Sequence, residues 1–189
     1  MAQGVNRLAS SGIVAATLGL VVQQNIGSGL HLGTWQFGVA SATGGLLAAR
    51  TMFSLVGAPI AGTMSDRLRE RWGLLSLSLA ISAVGVAILP LPRVVALMGG
   101  AMISAIASGG VQSLATTLVG DLSKMQEQGK HLAIFNIAGD LGSAIGPLVA
   151  YALLPVTGLI VVYWGCAILM LLNAFWIISF KRPSPARHQ

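Results

Sequence analysis

Charge is what this sequence has least of. Its 189 residues hold 11 Lys and Arg and 5 Asp and Glu, 8% of the chain, where a soluble domain carries roughly 25%. So few ionised groups cannot clothe a water-facing surface. With 54% apolar residues, the chain reads as an integral membrane protein whose outside is covered by lipid. Cysteine is nearly absent: Cys166 stands alone in an apolar run, which excludes an intrachain disulfide framework and suits a small packing residue. Aromatics make up 6% and are not interleaved with a basic patch, so the net charge of +6 does not point to nucleic acid. The three histidines, His31, His131 and His188, fall at segment ends or in the tail. HExxH and GxSG are both missing, so zinc-hydrolase and rhomboid-like serine-protease chemistry lack their residues. Neither an enzyme nor a cofactor is expected.

Glycine is abundant, with 24 residues, as suits helices that must approach closely in lipid. Six apolar segments can be marked, at about 11–32, 38–63, 73–91, 94–119, 131–154 and 158–180. Each is long enough for a bilayer core, which needs about 20 helical residues. Strand-type alternation is absent, and backbone groups in lipid must be satisfied within the segment, so an all-α polytopic protein with six transmembrane helices is expected. The first segment is longer than a signal-peptide core and lacks a small-x-small cleavage site, so it is expected to be a retained span. The joints are short: His31 to Phe37, the charged knot around 62–71, Pro90 to Arg93, Asp121 to Lys130, and Pro155 to Gly158.

Basic residues give the orientation. With residues 1–10 and the basic tail 181–189 in the cytoplasm, the inner side holds Arg7, Arg67, Arg69, Arg71, Lys124, Lys130, Lys181, Arg182 and Arg187. The outer loops hold only Arg93, and Arg50 lies within a span. This is the positive-inside bias expected for an inner, plasma-membrane protein with both termini cytoplasmic.

The knot "GTMSDRLRER" exceeds what topology requires, because Asp66 and Glu70 add acid to it. Gly62 and Asp66 share a helix face. Gly62 admits a close neighbour, and Asp66 can meet that neighbour's positive end or an Arg. Such contacts suit a conformational latch of Gly62, Asp66, Arg67 and Arg71. Gly62-x-x-x-Asp66-Arg67, followed by Arg71, resembles the loop signature of the major facilitator superfamily, found between its second and third helices and, in weaker form, between its eighth and ninth. Arg69 stands where the family has Gly, and Glu70 where it has a base, which fits the weaker copy. "GDLGSAIGP" (139–147) resembles the Gly- and Pro-containing region of the family's eleventh or fifth helix. There Gly142 and Gly146 form a GxxxG pair, and Pro147 can bend the helix. Ala150 and Tyr151 replace the paired glycines of the antiporter form, so antiport is not implied.

The resemblance implies one six-helix half, with a 3+3 inverted repeat, of a twelve-span transporter, most like the C-terminal half. Such a chain would be a fragment, a short gene product, or a half-size transporter that dimerises or takes a complementary half. Pro59 and Pro147 occupy matching spans of that repeat, as moving, site-forming helices often do. Arg50 and Asp140 lie near the midplane, where an ionised group facing lipid costs about 2.5–3.5 kcal/mol. They are therefore expected to serve a substrate or proton site, or to form a structural ion pair. Since the second and fifth helices of each half face the opposite half in this family, Arg50 is expected to meet Asp140 of a second copy. Gln23, Gln24 and Asn25 in the first span, Gln112 in the fourth and Asn136 in the fifth are further candidate substrate contacts. Ala101, Ala105 and Gly109 read as a packing stripe. The expected activity is transport of a small solute by alternating access, with lipid and a small molecule as partners and protons as a coupling ion. The alternative is an inactive fragment or a non-transporting helical scaffold.

Overall fold

The structure, a computed structural model, describes residues 2–27, 30–32, 35–68 and 70–179. Arg69 and the basic tail 181–189 lie outside the described residues. The chain begins with α1 (Ala2–Asn6), continues without a break through a π-helical segment (Arg7–Val14), and runs on as α2 (Ala15–Ile26). Together these make a first apolar helix over Gln3–Ile26. After a short antiparallel hairpin of β1 (Leu30–Leu32) and β2 (Trp35–Phe37) come α3 (Val39–Leu68), α4 (Arg71–Ile88), α5 (Val94–Leu122) and α6 (Gln128–Ser179). Five of these helical stretches are long and apolar enough to cross a membrane.

The punctuation is local. Gly27, at φ 66°, takes a conformation open to glycine and ends the first helix. Pro90 and Pro92 hold the chain out of helix between α4 and α5. Ser123 leaves helical geometry after α5, and its hydroxyl meets Nδ1 of His131 at 2.8 Å, tying the end of α5 to the start of α6.

Two boundaries differ from the sequence expectation. The first helix begins at Ala2, not near residue 11, because Gln3 and Asn6 are buried against other helices, Asn6 in hydrogen bonds with Ser108 of α5. The joint after it contains a β-hairpin, which no alternating pattern announced. The last two expected spans both lie within the 52 residues of α6, which is helical through Pro147 and Pro155 and broken at Gly158 (φ 76°, ψ 166°), the last residue of the expected Pro155–Gly158 joint. A straight helix of that length would reach ~78 Å. Instead, Tyr151 donates to the carbonyl of Ala16 at 2.9 Å while the Tyr163 hydroxyl lies 2.9 Å from that of Thr17. In a straight helix the two tyrosines would be ~18 Å apart along the axis. Both reach one turn of α2, so the arms 128–157 and 159–179 fold back beside each other.

Glycines set the closest approaches. A Cβ on Gly57 would overlap the Ile106 carbonyl, and one on Gly109 would overlap that of Ser54, which presses α3 onto α5. Gly142 and Gly146 lie against Gly4 and Gly12 of the first helix, where a Cβ on Gly146 would stand 2.5 Å from the Gly12 Cα. Ala101, Ala105 and Gly109 are all buried. Water cannot drive helices together inside lipid, so close contact of this kind has to hold them.

Candidate functional site

The π-helical segment carries the polar centre of the molecule. A π turn widens the helix by one residue, and such segments recur at functional sites. Arg7 opens it and Ser10 sits inside it. The Arg7 Nη1 lies 3.4 Å from Oδ1 of Asp140 on α6. One turn on, Nη2 of Arg50 on α3 donates to the Ser10 hydroxyl at 3.0 Å. Just before it, Asn6 exchanges hydrogen bonds with Ser108 of α5, at 3.0 and 3.3 Å. Helices distant in sequence thus converge on the first helix through polar side chains.

Beside Arg50 lies a cavity of about 230 Å3, walled by Ser10, Ser11, Arg50, Thr51, Ser54, Ser108 and Gln112, with Ala15, Leu47 and Ala105 as its apolar part. Arg50 is 8% exposed and its Nε has no hydrogen-bond partner among the described residues. Ser11, Thr51 and Gln112 are exposed, so the cavity opens on one face of the bundle. Two more clefts are mainly apolar. One of about 360 Å3 is lined by Trp72, Phe135, Asn173 and Trp176 among others, and one of about 290 Å3 lies between α3, α4 and α5.

The expected site residues divide. Arg50 and Gln112 share the cavity wall. Asp140 is elsewhere: its side chain is 72% exposed and its counter-charge is Arg7 of the same chain. Asn136 is exposed on α6. Gln23, Gln24 and Asn25 sit in the last turn of the first helix, not at its middle, because Gly27 stops that helix early. Gln23 and Gln24 are exposed, and Asn25 donates to the Val21 carbonyl of its own helix at 2.9 Å. α3 runs through exposed Pro59 without a break.

At the charged knot, Arg71 forms an ion pair with Asp121 at the end of α5 and stands 3.6 Å from Asp66 at the end of α3. Gly62 approaches Ser113 of α5, and Asp66 and Arg67 are exposed.

Sequence reasoning missed Arg7, Ser10, Ser108 and Asp121. Arg7 was counted as a flanking topology charge, yet it lies within the first helix. A usable signal existed for the cavity: Arg50 and Ser54, and Ser108 and Gln112, are i,i+4 pairs that put polar groups on one face of each helix.

A bundle of long apolar helices with a polar cavity at mid-helix is the architecture of an integral membrane protein. A family model described as Major Facilitator Superfamily matches residues 3–189, and the chain belongs to that superfamily, a family of transporters. It is 31% identical over 133 residues to the MFS-type transporter gkaD of Penicillium citrinum, a stretch covering 67% of this chain and 23% of that protein. The crystal structure of the POT family transporter PepTSo superposes with a TM-score of 0.69 at 18% identity, over 97% of this chain and 38% of the other. The chain therefore spans well under half the length of either protein.

Proposed function

We propose that this chain is one six-helix body of a carrier that moves a small solute across a membrane by alternating access. It would act with a second body, either another copy or a complementary half. The observation that carries this reading is the cavity at Arg50. It lies about 17 Å along α3 from Val39, is polar where lipid would demand apolar groups, and opens on a face this chain leaves uncovered. In the most apolar window of α3 only 6% of residues are buried, against 56% in the first helix. A facing body would cover that surface and alternately close the cavity from each side.

Three further features support the reading. The reversal at Gly158 makes six crossings from five long helical stretches, as two sets of three would require. The Lys and Arg at the α3–α4 and α5–α6 joints, against Arg93 alone at the α4–α5 joint, favour cytoplasmic termini even with Arg7 removed from the tally. Arg71, held between Asp66 and Asp121, links the cytoplasmic ends of α3 and α5 as a latch that rocking would strain. Asp140, exposed on the uncovered side, is the acid that would couple solute movement to protons, once parting of the bodies releases it from Arg7.

Purified chain in proteoliposomes should give saturable solute flux, and D140N should remove the response to a pH gradient. Its particles in nanodiscs should have twice the 19.4 kDa chain mass or require an added half. Strictly monomeric particles without flux, alone or with such a half, would sink the proposal.

A further inference from the structure

We infer that the Arg50 cavity binds a small organic monoanion through its carboxylate. This rests on the transport reading for its purpose, but the binding itself does not depend on it.

The first observation is a charge without a counter-charge. All five acidic residues of the chain are described, and none lines the cavity. Asp66 and Asp121 stand with Arg71, and Asp140 stands with Arg7. Glu70 and Glu127 lie at the joints before α4 and α6. Arg50 is nonetheless buried, and its one side-chain hydrogen bond among the described residues is to a neutral hydroxyl, that of Ser10.

The second observation is the free donor. A guanidinium presents five N–H groups in a planar fork, which matches a carboxylate bidentately. Here the Nε is buried and has no hydrogen-bond partner among the described residues. A buried donor left unmade is costly, so the fork is free to turn toward an anion in the cavity that supplies the missing counter-charge.

The rest of the wall sets the kind of anion. One guanidinium favours a single negative charge. The hydroxyls of Ser54 and Ser108 and the amide of Gln112 can bind a second polar group, while Leu47 and Ala105 offer apolar contact. A cavity of about 230 Å3 exceeds several times the roughly 30 Å3 share of one water, so it suits an organic acid better than chloride. Asp140, which the sequence suggested as a companion to Arg50, is already neutralised and takes no part.

The test measures binding to the full chain in lipid nanodiscs by thermal shift, with no transport step. The probes are benzoate and lactate, their neutral twins benzamide and lactamide, and chloride. Each carboxylate should bind at least tenfold more tightly than its amide, and chloride more weakly than either carboxylate. R50Q should erase the difference between acid and amide, and R50K should restore part of it. If R50Q does not fold, S10A, which removes the hydroxyl that holds Arg50, carries the test, with carboxylate binding weakened several-fold and amide binding unchanged.

Equal binding of acid and amide, no carboxylate binding by the wild type, a preference for chloride, or an acid preference that survives R50Q (or, where R50Q does not fold, survives S10A unchanged) overturns the proposal. So does restoration of association in the double variant R50E/D140K after each single change breaks it, because the fork would then belong to a carboxylate of the facing body. Failure of the two readings is distinguishable. Carboxylate binding through Arg50 without flux removes the carrier and keeps the site. Flux of a neutral solute without acid preference does the reverse.

Discussion

The bundle has a sealed side and an open side, built from similar residues. The first helix, α4 and α5 form the sealed side, where 56%, 44% and 50% of the most apolar windows are buried. α3, at 6%, and the outward face of the first arm of α6 form the open side, and there Met52, Leu55, Val56 and Leu148 point outward. Hydrophobicity does not separate the two, since both are apolar and lipid is as good a solvent for leucine as a neighbouring helix. What separates them is where small residues let backbones meet. Gly57, Gly109, Gly142 and Gly146 mark the contacts, and beyond them side chains are left for lipid or for a second body. The polar groups follow the same division. Thr17 and Tyr163 are sealed and mutually satisfied, whereas Asp140 stands at the open surface.

The largest effect should come from breaking the seal. Gly109→Ala puts a methyl into the Ser54 carbonyl and should cost about 3 kcal/mol, read as a fall in unfolding temperature in nanodiscs. Gly45→Ala, on the open side where nothing lies within 4 Å of the added carbon, should instead stabilise the single body by about 0.5–1 kcal/mol through helix propensity. A loss of body-to-body association in that variant would mark Gly45 as part of the covered interface. If both changes have the same effect, the distinction between the sides fails.

Next in size is the sealed hydrogen bond. Thr17→Val and Tyr163→Phe should each cost about 1 kcal/mol. Both remove the bond between the two hydroxyls, and Thr17→Val also removes the one Thr17 donates to the Ile13 carbonyl, so the double variant should lose less than their sum. Additive losses in denaturation curves would mean that the two hydroxyls act independently.

The smallest effect on stability should be at the charged knot. Arg71 and Asp121 are 30% and 51% exposed, so solvent screens the pair, and Arg71→Gln should cost only about 0.5 kcal/mol. Its consequence belongs in the exchange between conformations, measured as a change in solute flux or in distances between spin labels on α3 and α5. A large loss of stability with unchanged exchange would make the contact a structural tie.

The legible part of the fold was the part written in local chemistry. Long apolar runs gave α3, α4 and α5 within a few residues, and Pro90 and Pro92 marked their joint. The 62–71 knot and the 139–147 stretch resembled the superfamily whose model the chain matches. The break in α6 falls at Gly158, inside the joint marked from the sequence, although Pro147 and Pro155 themselves pass through helix unmarked. Gln23, Gln24 and Asn25 were read inside a span to residue 32 because the apolar run continues past Gly27, although the helix does not.

The residue order alone determined that the chain would be helical, that lipid would surround it, and where most helices would stop, because those outcomes depend on backbone hydrogen bonding and side-chain transfer within one segment. Tertiary structure alone decided which arginine has a carboxylate. Arg7 and Arg50 are equal in charge and both lie within helices, yet glycine contacts bring Asp140 to the first and only a serine to the second. That choice depends on distances between segments far apart in the chain, which no single stretch encodes.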